Sequence, residues 1–142
     1  MSHGEDKTCL AIDYGERRIG IAKSDPTGLI ASALTTLEVR SNTQALAALA
    51  ELIEEYDPSA IVIGWPLMPS GDEGDKCVAV DRFIAKLREI YSGPIHKVDE
   101  RYTSSEAADI VHAHGQRVGR DKKRLDRLAA VIILQRFLDE QP

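Results

Sequence analysis

The chain of 142 residues is long enough for one domain with a single buried core and does not require a second domain. No apolar run reaches the roughly 18 residues that a membrane span needs, so we expect a soluble, cytoplasmic protein without a membrane partner. The formal charge of −5 argues, taken alone, against a nucleic-acid partner.

The chain starts with a polar stretch, residues 1–7, which predicts a flexible tail before a single domain over residues 8–142. An apolar run follows that stops at Asp13 and turns at Gly15. This pattern is typical of a short buried strand that carries Asp13 to its C-terminal edge. The two cysteines have neither disulfide nor metal-site spacing, so we expect free thiols.

Hydrophobic periodicity and turn residues predict five strands and four helices. The predicted strands cover residues 8–13, 19–24, 29–39, 60–64 and 95–100. Apolar positions at helical spacing mark helices over residues 45–56, 80–90, 103–111 and 122–139, and Cys77 is expected at the start of the second helix. Capping-box spacing at 41–44 and 103–106 marks the start of the first and third helices, and Gly115 ends the third.

This order of elements predicts an α/β fold with a mixed sheet. The first three strands form an antiparallel meander, and each later strand returns through a crossover helix. Right-handed crossovers then place strand 1 in the middle, with strands 4 and 5 parallel to it. The ends of strands 1 and 5 share one edge of the sheet, which brings Asp13 near Asp99 and Glu100.

The charge is distributed unevenly along the chain. Residues 117–127 carry six of the 18 cations against two acids, so this segment is +4 and the remainder is −9. The six cations are Arg117, Arg120, Lys122, Lys123, Arg124 and Arg127. This asymmetry favours a local phosphate-binding patch, although a solvated loop and helix start would have the same composition.

Asp126 interrupts the apolar face of the last helix, where it lies in register with Ala130 and Ile133. A carboxylate there either complements the helix dipole or binds a cation. Together with the two strand-end acids, it predicts an oxygen-rich site for Mg²⁺ or Mn²⁺, holding one ion or two. Carboxylate-held metal beside basic side chains is suited to phosphodiester cleavage.

The sequence resembles the YqgF/RuvX family over nearly its whole length, from Leu10 to Asp139, with the motifs in the same order. The segments that carry the resemblance are Ile12-Asp13-Tyr14-Gly15 with Arg17-Arg18-Ile19-Gly20-Ile21-Ala22, Val62-Ile63-Gly64-Trp65-Pro66-Leu67, Asp99-Glu100-Arg101-Tyr102-Thr103-Ser104, and Lys122 to Asp126 with Ala129-Ala130 and Ile133-Leu134-Gln135.

The resemblance implies a ribonuclease H-like fold with strand order 3-2-1-4-5, related to the RuvC resolvases. It implies a nuclease that processes the 5′ end of pre-16S ribosomal RNA, with Holliday-junction resolution proposed for some members. Carried over by position, the catalytic and metal-binding acids are Asp13, Glu100 and Asp126. Glu100 is chosen over Asp99 on the resemblance, since adjacent strand residues point to opposite faces.

One loop departs from the family pattern, which commonly reads G-L-P-L-N-M-D-G. This chain has Gly64-Trp65-Pro66-Leu67-Met68-Pro69-Ser70-Gly71 instead. An Asn and an Asp of the loop are therefore missing, and any polar substrate contact that they make in the family is in doubt here.

Several cations and aromatic residues accompany the predicted acids. Arg17, Arg18 and Arg101 sit beside them and either hold phosphates or neutralise the acids. With them we assign Lys122, Lys123 and Arg124 as nucleic-acid-binding residues. His96, His112 and His114 are expected at the surface or in satisfied positions, and Trp65 and Tyr102 either stack on an unpaired base or pack in the fold.

Three functions remain open from the sequence. The first is a metal-dependent nuclease acting on ribosomal precursor RNA. The second is a resolvase of branched DNA, which needs two active sites and therefore a homodimer. The third is a catalytically silent RNA-binding module. An actin-like ATPase is excluded, because that fold duplicates the domain and 142 residues leave no room for a second copy.

Overall fold

The computed structural model describes residues 6–113 and 122–141, and its elements follow the predicted order. The strands are β1 (Cys9–Asp13), β2 (Arg18–Ser24), β3 (Ala31–Glu38), β4 (Ala60–Trp65) and β5 (Ile95–Asp99), and the helices are α1 (Asn42–Tyr56), α2 (Asp75–Leu87), α3 (Thr103–Ala113) and α4 (Lys122–Asp139).

The five strands form one mixed sheet in the order β3-β2-β1-β4-β5, which confirms the predicted ribonuclease H-like topology. β1 pairs antiparallel with β2 and parallel with β4, while β3 and β5 extend the sheet on either side. The C-terminal ends of β1, β4 and β5 therefore lie at the same edge. Asp13 ends β1 at this edge, and Asp99 ends β5.

Helices cover both faces of the sheet. Leu10 and Ile12 of β1 face a core shared with α1 and α2, whereas Cys9 and Ala11 face a second core. α4 supplies that second core with its buried residues Ala130, Ile133 and Leu134. Because the central strand is buried on both faces, its apolar run is uninterrupted.

Among the boundaries that differ from the sequence prediction, the starts of β3 and α2 have identifiable causes. β3 begins at Ala31 and not at residue 29, because the Asp25 carboxylate accepts hydrogen bonds from the amides of Leu29 and Ile30 and extends the turn. α2 begins at Asp75, two residues before the predicted helix start at Cys77 and five before Val80, where its apolar periodicity begins. Its first turn carries few apolar residues, so hydrophobic periodicity did not detect it.

The two predicted capping boxes had different outcomes. At α1, the Ser41 hydroxyl accepts from the amide of Gln44 at 3.1 Å, as predicted. At α3 the prediction was wrong, because Thr103 is already helical and its hydroxyl accepts from Arg136 at 3.0 Å. The carboxylate of Glu106 also binds Arg136. A tertiary contact with α4 thus occupies both side chains of the motif.

Some predictions lie partly or wholly outside the described residues. Of the predicted tail only residues 6 and 7 are described, and the amide of Lys7 bonds the carbonyl of Pro26 at 2.9 Å. The predicted helix end at Gly115 is not described. Both cysteines are buried free thiols. No helix in the described part of the chain combines the length and hydropathy of a membrane span.

A close contact at Gly20 sets how far α4 approaches the sheet. Gly20 pairs directly with Asp13, and a Cβ at Gly20 would lie 2.0 Å from the backbone oxygen of Asp126. Only a residue without a side chain lets the first turns of α4 rest on β2 here. The same contact brings Asp126 towards Asp13.

Gly20→Ala should therefore destabilise the fold. The added methyl group meets helix backbone, which cannot rotate away, so we expect the free energy of unfolding to fall by about 2–3 kcal/mol. Urea unfolding measures the change. Ser32→Thr is the matched control, because it adds one methyl group at an exposed position of β3 and should change stability by less than about 0.5 kcal/mol. Equal stability of Gly20→Ala and wild type would contradict the contact.

Candidate active site

The centre of the candidate site is Asp13, the last residue of the central strand. It pairs with Gly20 on β2, and the residue before it, Ile12, pairs with Ile63 on β4. Its side chain therefore stands where the antiparallel and parallel halves of the sheet meet. In open α/β sheets this carboxyl edge is where ligands bind.

Glu100 follows β5 directly and lies beside Asp13. Its amide donates to the carbonyl of Trp65 at 3.1 Å, next to the last β4–β5 pair. The carboxyl group of Glu100 rests on Gly64, since a Cβ at Gly64 would lie 2.5 Å from Oε2. The absence of a side chain at Gly64 thus gives Glu100 its place beside Asp13.

Asp99, the other candidate at this strand end, has a different environment. Its carboxylate accepts from the backbone amide of Arg101 at 2.9 Å and from the guanidinium Nη2 at 2.7 Å. The Arg101 guanidinium lowers the pKa of Asp99. The structure therefore places Glu100 beside Asp13 and leaves Asp99 in an ion pair at the surface.

Asp13 and Glu100 share a hydrogen bond between their side chains, which requires a proton on one of them. Burial, the charge of Glu100 and the hydrogen bond to it hold the pKa of Asp13 well above its usual range, and the charge of Asp126 adds to this. Burial also raises the pKa of Glu100, while Lys76 and Arg136 oppose the rise. The pair therefore retains a proton at a pH at which two separate carboxyl groups would have lost it.

Asp126 lies on the other side of Asp13, in the second turn of α4. Its carboxylate forms an ion pair with Arg18, with 2.7 Å between Oδ2 and Nε. Among the residues that the structure describes, no three His, Cys, Asp or Glu side chains are close enough to hold a metal ion. The structure thus joins two of the three predicted acids, and Arg18 binds the third.

Two concave surfaces meet at Asp13. A cavity of about 670 Å³ contains Asp13 and Glu100 and is walled by Pro66, Leu67 and Tyr102. A smaller hollow of about 190 Å³ lies between Asp13, Arg18 and Asp126. A ligand in either one reaches the Asp13 carboxyl group.

The predicted nucleic-acid-binding cations fall into two groups. Three are paired with carboxylates: Arg18 with Asp126, Arg101 with Asp99, and Lys123 with Glu38. Arg17 and Lys122 are exposed, and neither forms an ion pair with any residue in the described ranges.

The rest of the predicted basic patch is only partly described. Arg124 is half-buried on the first turn of α4, and Arg127 donates to the Thr36 hydroxyl at 3.4 Å. Arg117 and Arg120 lie outside the described residues. A role for these cations in phosphate binding stays a prediction.

Sequence reasoning missed two cations that support the site. Lys76, in the first turn of α2, lines the larger cavity and lowers the pKa of Glu100 through its charge. Arg136 of α4 donates to the carbonyl of Asp99 at 2.9 Å and binds Thr103 and Glu106, so it fixes the segment that carries Glu100. Lys76 follows the irregular loop, and Arg136 lies far along the chain, so neither stood out in the sequence.

The aromatic candidates have different roles. Trp65 is 8% exposed and lies under the ammonium group of Lys97, 3.9 Å from its ring centroid, so it packs in the fold. Tyr102 is 64% exposed, and its φ of +66° places it in the left-handed region. For a bulky residue this conformation costs on the order of 1–3 kcal/mol.

None of the three histidines is assigned a role at the site. His96 stacks against Phe137 with 4.9 Å between ring centroids, on the outer side of β5. The side chain of His112 and the whole of His114 lie outside what the structure describes. The expectation of surface or satisfied positions is met at His96 and stays a prediction for the other two.

The loop that departs from the family pattern forms a tight turn. The amide of Gly71 donates to the carbonyl of Met68 at 2.7 Å, and the Ser70 hydroxyl donates to Asp72 at 3.0 Å. Gly71 has a φ of +91°, as such a turn requires. The side chain of Met68 is exposed, so an apolar group stands where the family has a polar one.

Comparison with known proteins places this site in a family. The family model described as "RuvX: Holliday junction resolvase" matches residues 7–140. A protein of Roseiflexus sp. (strain RS-1) is 42% identical over 132 residues, which cover 93% of this chain and 94% of that protein. A protein of Synechococcus elongatus is 39% identical over 132 residues, 93% and 89% of the two chains. Both are named "Putative pre-16S rRNA nuclease".

Solved structures share the fold at much lower identity. The RuvC of Thermus thermophilus, solved in complex with a Holliday junction substrate, has a TM-score of 0.60 and 16% identity, covering 93% of each chain. The Fowlpox virus resolvase, solved with Holliday junction DNA, has a TM-score of 0.58 and 11% identity, covering 93% of this chain and 97% of that one. With a family match over nearly its whole length, this chain belongs to the RuvX family.

Proposed function

We propose that this protein is a metal-dependent nuclease that hydrolyses phosphodiester bonds at the 5′ end of pre-16S ribosomal RNA. The observation that carries the proposal is the half-buried Asp13–Glu100 pair: Asp13 ends the central strand, Glu100 follows β5, and both line the same cavity. Paired acids with shifted pKa values in a cleft are typical of catalytic sites. The names of the relatives favour ribosomal precursor RNA as the substrate.

Asp13, Glu100 and Asp126 are the residues that would hold Mg²⁺ or Mn²⁺, as one ion or two. Their donors are all carboxylate oxygens, which suit hard cations. The raised pKa of Asp13 supports the fit, because two adjacent, half-buried acids without a cation favour sharing a proton. A bound divalent cation supplies an activated water and neutralises charge on the leaving oxygen.

The protein's own side chains would position the substrate. Arg17 and Lys122 contact backbone phosphates directly, because neither is engaged with a carboxylate among the described residues. Arg18 exchanges Asp126 for a phosphate, which releases Asp126 towards Asp13. Arg101 and Lys123 make similar exchanges at the rim, and Arg124 adds charge on the first turn of α4. Each guanidinium can bind a phosphate in place of a carboxylate with the same geometry.

Asp13→Asn should abolish cleavage and leave the fold intact. The amide is neutral and a poor ligand for a hard cation, so we expect the rate to fall roughly a thousandfold or more. Cleavage of precursor RNA in Mg²⁺ or Mn²⁺ measures it, with circular dichroism to check folding. Asp81→Asn is the matched control, since Asp81 is an exposed acid of α2 paired with Lys97. Undiminished cleavage by Asp13→Asn would refute the proposal.

The second candidate function is resolution of branched DNA. It is favoured by the description of the family and by the shared fold with resolvases solved on Holliday junctions. Cutting a junction symmetrically needs two active sites, so this function requires a homodimer.

Parallel cleavage assays on a precursor RNA and a synthetic four-way DNA junction, at matched salt, separate the two functions. If the RNA is the substrate, we expect it to be cleaved at least about tenfold faster, a difference of about 1.4 kcal/mol in barrier height. The opposite ranking, together with a dimer in sedimentation, would favour the resolvase. Binding of RNA without cleavage of either substrate would favour the silent RNA-binding module.

Removing the charge of Asp13 should also make the protein more stable at neutral pH. A raised folded pKa means that the native state holds a proton that the unfolded chain releases above about pH 4. The contribution of this proton to the free energy of unfolding is therefore complete below that pH, and it is lost as the pH rises through the pKa of the folded state. In EDTA at pH 7–8, Asp13→Asn should exceed wild type by about 1 kcal/mol or more, since the amide needs no proton.

Urea unfolding between pH 4 and pH 8 tests this, and the advantage of Asp13→Asn should shrink towards pH 4. Adding Mn²⁺ should stabilise wild type and leave Asp13→Asn unchanged, because only wild type retains the complete set of carboxylate ligands. A pH-independent difference between the two proteins would contradict a raised pKa at Asp13.

A further inference from the structure

The seven aromatic residues differ in whether their rings have a partner in the fold. Six have one: Tyr14 and Phe83 pack on each other, Phe137 packs on His96, Lys97 lies over Trp65, Lys23 lies over Tyr56, and the Tyr91 hydroxyl donates to the carbonyl of Pro58. Within the described ranges the ring of Tyr102 makes no ring contact, cation–π contact or side-chain hydrogen bond. Its 64% exposure leaves the ring open to a ligand.

The backbone of Tyr102 adds a second, independent observation. Among the described residues only Asp57 and Tyr102 combine a side chain with a positive φ. Asp57 ends α1, where its amide bonds the carbonyl of Ile53 at 2.8 Å and a short polar residue suits the left-handed region. Tyr102 directly precedes α3, and its carbonyl accepts the first helical bond from Glu106 at 2.9 Å.

A tyrosine is unfavourable at that position for local reasons. A helix start favours Ser, Thr, Asp or Asn, whose side chains bond the free amides, and a phenol ring gives no such cap. The left-handed conformation strains the residue as well. Residues that are unfavourable for the local backbone conformation concentrate at functional sites.

The position of the ring connects it with the acid pair. Tyr102 lies two residues after Glu100 and lines the cavity that contains Asp13 and Glu100. It also lines a groove on its other side, along β5 and α4, with His96 and Arg136. The ring therefore stands on the rim between the acidic cavity and the neighbouring groove.

We propose that Tyr102 is a stacking platform for an unpaired nucleobase next to the phosphodiester bond that is cleaved. This inference rests on the proposed nuclease function and specifies its substrate. Bases stack on exposed aromatic rings whatever their sequence, because every base has a π-face. In a continuous duplex both faces of a base are covered by its neighbours. The preferred substrate therefore has an unpaired nucleotide at the cleavage site, in a single strand or at a branch point.

The test is binding of oligonucleotides that contain one 2-aminopurine, measured in EDTA so that no cleavage occurs. Wild type should change the fluorescence of a single-stranded RNA and of a branched DNA with an unpaired 2-aminopurine. Tyr102→Gly should bind both about tenfold or more weakly, and Tyr102→Phe should bind within about twofold of wild type. A fully paired duplex should bind all three proteins alike.

Tyr102→Gly also separates a binding role from a structural one. Glycine adopts a positive φ without strain. The melting temperature of the Tyr102→Gly variant should therefore equal or exceed that of wild type, while its binding of oligonucleotides is lost. Tyr102→Asn is a second variant that tolerates the same backbone and has no ring. Leu29→Ala is the matched control, because Leu29 is 68% exposed at the opposite end of the sheet, and its loss should leave binding unchanged.

The outcomes distinguish this inference from the proposed function. If Tyr102→Gly and Tyr102→Asn both bind single-stranded RNA as tightly as wild type, the stacking site is overturned. This holds even where Asp13→Asn has lost cleavage. No fluorescence change with wild type overturns it too. Loss of binding in the two Tyr102 variants supports the stacking site, even where Asp13→Asn still cleaves and the proposed catalytic role fails. A lower melting temperature with unchanged affinity would make Tyr102 a structural residue.

Discussion

The site depends on keeping two carboxyl groups, those of Asp13 and Glu100, together in a half-buried position. Two neighbouring carboxyl groups that are partly removed from water resist ionising together when no cation is present, so one of them retains a proton. The raised pKa of Asp13 expresses this conflict. The fold tolerates the conflict because the groups stand at the ends of strands that the sheet holds in register. The divalent cation that we propose would relieve this conflict, because its charge would offset both carboxylates.

Three packing contacts hold this arrangement. Gly64 leaves room for the carboxyl group of Glu100, and Gly20 lets α4 approach β2 closely enough to bring Asp126 near. Arg136 binds the segment after β5 at three points. Gly20 and Arg136 act on backbone position and Gly64 acts on the Glu100 side chain, so the geometry of the acids follows from packing. The chemistry of the site and the stability of the fold are for this reason linked through the same residues.

The cations around the site are compatible with the proposed binding of nucleic acid by an acidic protein. At rest, Arg18, Arg101 and Lys123 each neutralise a carboxylate, which limits repulsion among the acids. A phosphate can replace each of these carboxylates. The net charge of −5 therefore says little about the local surface, where pairs of opposite charge are available for exchange. Arg18, Arg101 and the exposed Tyr102 line the two concave surfaces that meet at Asp13.

The sequence by itself determined the order of the elements, the sheet topology and the position of Asp13 at a strand end, because hydrophobic period and turn residues act locally. Resemblance, and not periodicity, selected Glu100 over Asp99. Only the tertiary structure decided that Arg136 occupies the Thr103–Glu106 motif, that Arg18 binds Asp126, and that Gly20 and Gly64 are contact points. These pairings join residues up to 108 positions apart, so no local pattern contains them.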